Sequence, residues 1–385
     1  MKLSTERILT THVGSLPRSD DLIEGLAMED RGETIDPDVL NKKISIAVTK
    51  VVRDQVEANI DIIGDGEVSK MSYHVYAKHR LTGFQNLAGR GVPGRELPLD
   101  IQEFPEMLEK PVGGGGTDLL QSTICAGPVS YSNMEPLKRD ISNLKVAATK
   151  YKPTDVFMTS ASPGCLVNYM PNTFYSSRQQ YREALAKAMK VEYETITAAG
   201  FVLQLDCPDL AGSRHTDFAG FTEKEFLTEV EKSVDALNEA TVNIQPENMR
   251  MHICWLNYSG PHTHDISVAK LIKHLCRARP SAILFEGANP RHEHEWEDWK
   301  AAKIPDDKVL VPGVIDSTSN FVEHPILVAQ RICRYADIVG RDRVLAGVDC
   351  GFSTYAGRKE VYPSIVLAKL RTLAEGAEIA SSRLW

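Results

Sequence analysis

The chain has 385 residues, 42% hydrophobic and 25% charged, with a formal net charge of -8 at pH 7. That composition is globular, and the mild acidity excludes the basic face that duplex nucleic acid or an anionic membrane requires. Residues 1–15 carry no apolar signal core, and no stretch approaches the roughly 20 apolar residues of a membrane span. The chain is therefore expected to be cytoplasmic, with its seven cysteines as free thiols or metal ligands.

Taken in order, Ile8–Thr11 and Ile60–Ile63 are the first two runs that read as strands. Residues 85–150 fit the following pattern poorly, because they hold the glycines Gly113–Gly116, several prolines and a β-like run, Ser122–Ala126. They read as an insertion after the second strand, a hairpin over the mouth of the barrel that the strands below make up. Val156–Thr159 resumes the strands. A helix marked by Tyr181, Leu185, Ala188 and Ile196 follows and ends before Gly200. Phe201–Leu205 is the next strand, and Thr222 with Glu225 forms a capping box that opens a helix with Phe226, Val230, Val234 and Leu237 on one face. Arg250–Cys254, Ala282–Phe285, Val309–Ile315 and Val344–Val348 complete the strands, with helices from Pro325 to Gly340 and over 363–380. Eight strands alternating with helices predict an α/β chain, a single (β/α)8 barrel over residues 1–385 with 85–150 inserted in it.

Most of these strands end in polar residues: Ser15, Asp65 to Glu67, Asp206, His252 with Cys254, Glu286, Asp316 and Cys350. The C-terminal strand ends of a barrel ring one mouth, so these side chains converge although they are far apart in sequence. His252 and Cys254 are two apart, which puts both on one face of an extended strand. Alone, that pair fits core packing as well as metal binding. With Glu286 and Cys350 ending two other strands, the four make a zinc-like ligand set. Zn2+ held by two thiolates suits a thiol substrate, because the metal lowers the pKa of a coordinated thiol.

The segments THVGSLPR (11–18), DGE (65–67), LQLDCPDL (203–210), HIC (252–254), FEGANPRHEHEW (285–296), PGVIDS (312–317) and VDCGFSTYAGR (348–358) resemble the catalytic C-terminal barrel of the cobalamin-independent methionine synthases. The resemblance spans essentially the whole chain and extends to short single-barrel members, which include epoxyalkane:coenzyme M transferase. It implies a zinc site of His252, Cys254, Glu286 and Cys350, with a thiol substrate displacing or joining Glu286. It implies that Ser15 binds the carboxylate of homocysteine and that Glu67 and Asp206 bind its amine; a buried ammonium needs such anionic partners in any case. Asp316, in the PGVID segment, carries over as a catalytic residue. Two positions later the family has a histidine that helps protonate the leaving folate nitrogen, and here stands Thr318, a poor general acid. His262 and His264, in the loop after the zinc strand, are candidates for a replacement acid, or they cap the next helix. Arg214, His215, Arg291 and Arg358 could read an anionic tail or form surface salt bridges. The activity implied is transfer of a methyl group to homocysteine to give methionine, as in the 5-methyltetrahydropteroyltriglutamate–homocysteine methyltransferases. The alternative is addition of coenzyme M to an epoxide. The partners implied are a small thiol and an alkyl donor, and a homo-oligomer is compatible with the sequence.

Overall fold

Short branched apolar runs bounded by polar turns form parallel strands when crossover helices cover their outer faces. The computed structural model describes residues 1–87, 97–109, 119 and 122–385. Ten strands are present among them: β1 (Leu9–Thr10), β2 (Ile62–Ile63), β3 (Phe84–Asn86), β4 (Thr123–Cys125), β5 (Asp155–Ala161), β6 (Val202–Asp206), β7 (Met249–His252), β8 (Ala282–Phe285), β9 (Val309–Pro312) and β10 (Leu345–Ala346). Eight of them pair in parallel. β2, β5, β6, β7, β8 and β9 form one curled sheet, and β1 pairs with β10. Parallel bridges from Thr11 to Ile62, from Leu310 to Val344 and from Gly313 to Gly347 join the two sheets and close the ring. These are the eight runs expected from the sequence, in a (β/α)8 arrangement.

The helices fall where their signals stand. Thr222 and Glu225 make the reciprocal capping box of the helix Glu223–Ala240, which buries Phe226, Val230, Val234 and Leu237. Gly200 and Gly340 follow the helices Arg178–Ala198 and Pro325–Val339 with φ of 90° and 89°, a left-handed backbone that glycine enters without strain. The last helix, Pro363–Leu384, runs slightly beyond its expected end.

Between β2 and β5 the chain makes the antiparallel pair β3–β4, with Phe84 opposite Cys125, and a short helix, Leu99–Glu103. Gly113–Gly116 lie outside the described residues. The helix Glu135–Tyr151 then leads into β5; it packs beside the helix Pro37–Glu57, where Arg139 donates to Asn41 at 3.1 Å.

Apolar side chains fill most of the barrel interior, but one cation is central to it. Arg250 on β7 is fully buried and donates to Gln204, to the Thr11 hydroxyl and to the His12 carbonyl, each at 2.8 Å. Its guanidinium lies 3.6 Å from the Phe157 ring centroid. Burial lowers its pKa to about 9, which leaves it charged at neutral pH. Every donated bond ties β7 to β6 or to the two residues just after β1, which fixes the strand that carries His252.

All seven cysteines are free. Among the described residues, no helix is long and apolar enough to cross a membrane.

Candidate active site

His252 is the last residue of β7, and Cys254 lies two residues on, beyond the assigned strand. The extended geometry nevertheless continues, because the Ile253 amide still bonds the Leu284 carbonyl at 3.0 Å. The two side chains therefore share a face, and Cys350, just after β10, meets them. Cys254 Sγ and Cys350 Sγ are 3.6 Å apart, and Cys350 Sγ is 3.4 Å from His252 Nε2. The three ligand atoms lie within 4.8 Å of one another, all on buried residues, and could hold a metal ion.

The trio already polarises itself. The hydrogen bond from Cys254 and the adjacent His252 hold the Cys350 thiol well below its usual range. The bond to Cys350, added to burial, raises the Cys254 thiol. Burial opposes charge on His252, but Cys350, Asp206 and Glu286 together outweigh it and raise the imidazole pKa.

Glu286 stands beside this trio but not in it. Its Oε1 accepts from the Trp255 amide at 2.9 Å and its Oε2 from the Asn289 side chain at 2.7 Å.

Ser15, Glu67 and Asp206 gather beside the trio, with Asp206 opposite His252 in the register of β6 and β7. Ser15 packs against Gly351, the residue after Cys350, where a Cβ would collide with its hydroxyl. Gly14, with φ of 149°, does the same for Glu67: any side chain there would strike its carboxylate. Glu67 and Asp206 repel each other, and Glu67 Oε2 is buried with no hydrogen-bond partner. Burial, reinforced by that repulsion and opposed by Lys70 and Arg18, pushes Glu67 up to about 8. Burial also raises Asp206, to about 6, against the pull of His252 and a 2.8 Å bond from Gln204.

Lys70 and Arg18 are the cations that the sequence reading missed. Both are buried, and Lys70 Nζ donates to Thr159 O and Oγ1 at 3.1 Å. Two buried cations face three buried carboxylates, Asp65, Glu67 and Asp206. Glu67 titrates near 8, so at neutral pH it keeps a proton that an arriving cation would favour releasing.

The remaining candidates lie elsewhere. Asp316 is half-buried and accepts from the Thr318 amide at 2.9 Å and the Thr318 hydroxyl at 2.8 Å. Both ring nitrogens of His262 are engaged, Nδ1 with Asp265 Oδ2 at 3.0 Å and Nε2 with the Tyr258 carbonyl at 2.9 Å. His264 faces outward and pairs with Glu103 of the inserted segment at 2.8 Å. Arg358 is paired with Glu360.

Asp265 is the centre of a network that no motif announced. Besides His262, its Oδ2 meets His292 Nε2 at 3.0 Å, and His215 Nδ1 lies 3.3 Å from its Oδ1 without hydrogen-bond alignment. His292 Nδ1 bonds Glu295 at 2.9 Å. Burial opposes charge on His292, but its two carboxylate partners raise it to about 10, so it is an imidazolium at neutral pH. The same contacts hold Asp265 far below the carboxylate range despite its burial. His292 also packs against Trp255, the residue after Cys254, with ring centroids 4.3 Å apart and the rings tilted by 33°.

No family model matches the chain. A methionine synthase of Saccharolobus islandicus is 24% identical over 380 residues, covering 97% of this chain and 95% of that protein. The methionine synthase of Sulfurisphaera tokodaii is 25% identical over 378 residues, covering 97% and 93%. The chain is thus similar to methionine synthases over nearly its whole length. Among solved structures, a B12-independent methionine synthase from Shewanella sp. W3-18-1, in complex with selenomethionine, has the same fold, with a TM-score of 0.71. The two are 19% identical, and the match covers 98% of this chain and 99% of that one. The likeness to methionine synthases thus runs from end to end of the barrel and is not confined to the motifs at its mouth.

Proposed function

We propose that the protein is a zinc-dependent S-methyltransferase that transfers a methyl group from a small donor to homocysteine, giving methionine. The observation that carries this reading is the meeting, at one barrel mouth, of a His–Cys–Cys trio and a buried carboxylate pair, one oxygen of which has no hydrogen-bond partner. Full-length relatives named methionine synthase support it.

The trio fits zinc. Tetrahedral Zn2+ with Zn–S bonds of about 2.3 Å has ligand atoms roughly 3.8 Å apart, close to the 3.6 Å and 3.4 Å seen here. His252, Cys254 and Cys350 would hold the metal, with Glu286 at its side. Bound zinc would supply a lowered thiol pKa, so that the substrate enters as the thiolate nucleophile.

The chain's own residues would do the rest. Glu67 and Asp206 would receive the substrate ammonium, and Ser15 its carboxylate. The substrate is an amino thiol on this account, because a sulfonate such as coenzyme M would face the same two carboxylates and be repelled. Thr318, whose hydroxyl donates to Asp316, offers no acid for a basic leaving group.

The test crosses homocysteine and coenzyme M with methyl-folate, methylcobalamin and epoxide donors, using zinc-replete protein. Methionine formed from homocysteine and any methyl donor is the expected result. Activity with coenzyme M and an epoxide, and none with homocysteine, would replace this reading by thiol addition to an epoxide.

A further inference from the structure

Glu67 carries its carboxylate on a backbone that needs outside support. It closes the turn Asp65–Gly66–Glu67 after β2, and both Gly66 and Glu67 are left-handed there, with φ of 65° and 53°. Glycine enters that region freely, but a residue with a Cβ does so at a cost that its surroundings must offset. Asp65 Oδ1 accepts from the Glu67 amide at 2.9 Å, and the Gly66 carbonyl accepts from the Leu16 amide at 2.9 Å. The Glu67 carbonyl accepts from the Lys70 amide at 3.0 Å and from Arg18 Nη2 at 2.7 Å. The other end of that guanidinium, Nη1, donates to the Ser353 carbonyl at 2.7 Å and to the Ser353 hydroxyl at 3.3 Å. Ser353 belongs to the segment that follows Cys350, where the Phe352 amide donates to the Ser15 carbonyl at 3.0 Å and the Ser353 amide to Ser15 Oγ at 3.4 Å.

We propose that Arg18 is a positioning residue: its guanidinium spans the Glu67 and Ser353 carbonyls, fixes the left-handed Glu67 turn against the segment after Cys350, and so aims the Glu67 carboxylate at the substrate ammonium. The inference rests on the amino-thiol reading above. Arg18 is buried, and its hydrogen bonds go to two carbonyls and a hydroxyl. What this cation holds is main chain, in two loops that follow different strands, β2 and β10. Holding both carbonyls takes a planar fork with two donor nitrogens. A lysine ammonium has one nitrogen and replaces only part of that contact.

A residue that merely supports the fold would, when lost, weaken every ligand of the pocket alike. One that aims Glu67 would weaken only ligands that carry an amine. The experiment therefore measures two affinities by calorimetry on zinc-loaded protein: that of homocysteine and that of 4-sulfanylbutanoate, the same thiol acid without the amine. The proteins compared are the wild type, Arg18→Ala and Arg18→Lys. The lysine variant keeps a cation in the buried position, so it stays informative where the alanine variant folds poorly. Arg18 also lines a cavity between the starts of the helices Asp20–Arg31 and Pro363–Leu384, and Asp20 and Lys359 on the same lining are exposed. Added ethylguanidinium can therefore enter the space that alanine leaves.

Both variants are expected to bind homocysteine about tenfold more weakly, the scale of one hydrogen bond to a charged group. Their affinity for 4-sulfanylbutanoate should stay as in the wild type, and ethylguanidinium should return part of the lost homocysteine affinity to Arg18→Ala. Equal weakening of the two thiols, or an unchanged preference for homocysteine in either variant, overturns the proposal while the amino-thiol reading stands on the wild-type preference. A wild type that binds the two thiols alike overturns both.

Discussion

Two buried acidic clusters flank the metal trio, and they treat charge in opposite ways. Asp265 is surrounded by His215, His262 and His292, and its proton affinity is driven far down. Glu67 and Asp206 are driven up, to about 8 and about 6, and Glu67 keeps an oxygen without a partner. A depressed buried carboxylate already has its counter-charges and works within the fold. A raised one lacks them and is poised for a ligand that brings them. By this criterion the histidine network braces the loops after β6, β7 and β8, whereas the Glu67–Asp206 pair is where the proposed substrate would bind.

The largest effect that would break this contrast lies in the closed cluster. Asp265→Asn removes the partner of buried imidazoles, and loss of one member of a buried ion pair costs about 3–5 kcal/mol. Denaturant unfolding should show that loss, with homocysteine affinity changed far less. An undiminished stability together with abolished homocysteine binding would make Asp265 a substrate residue.

Asp206→Asn should do the opposite. Removing one charged partner of a desolvated ammonium weakens homocysteine by about 2–5 kcal/mol. Relief of the repulsion with Glu67 should leave the ligand-free protein at least as stable as before. Calorimetry on both proteins decides this, and equal affinities would remove Asp206 from the amine site.

The smallest effect is a pH dependence. Glu67 titrates near 8 in the folded chain against an ordinary 4.5. As pH rises from about 4.5 to about 8 the unfolded chain gives up this proton first, so stability is lost across that window. Glu67→Gln lacks the proton to lose. Its melting temperature should therefore rise relative to the wild type by a few degrees between the two ends of the window. A constant difference would mean that Glu67 is not held protonated by its surroundings.

The same contrast explains what was legible in the sequence. The eight strands were readable because each is a short apolar run with its own turn signals. His252 and Cys254 were readable because residues two apart share a face, and this held although β7 ends at His252. Ser15, Glu67 and Asp206 were reached through the motifs around them. Asp265 was not. Its partners sit at 215, 262 and 292, on three loops whose mutual placement no local spacing encodes. His262 consequently read as a candidate acid or a helix cap, whereas both its nitrogens are engaged within the fold. Arg250 and Lys70 escaped notice for a related reason: a charged residue in or beside a strand gives no sign that it points inward until its acceptors, Gln204, Thr11 and Thr159 among them, are in place.

The central claim is that a substrate thiol reaches the metal held by His252, Cys254 and Cys350. Zinc-edge X-ray absorption of the purified protein, without and with homocysteine, tests it most directly. The account predicts about one zinc per chain, with two sulfur neighbours at about 2.3 Å alone and three with homocysteine. Two sulfurs in both samples, or no zinc at all, would contradict it.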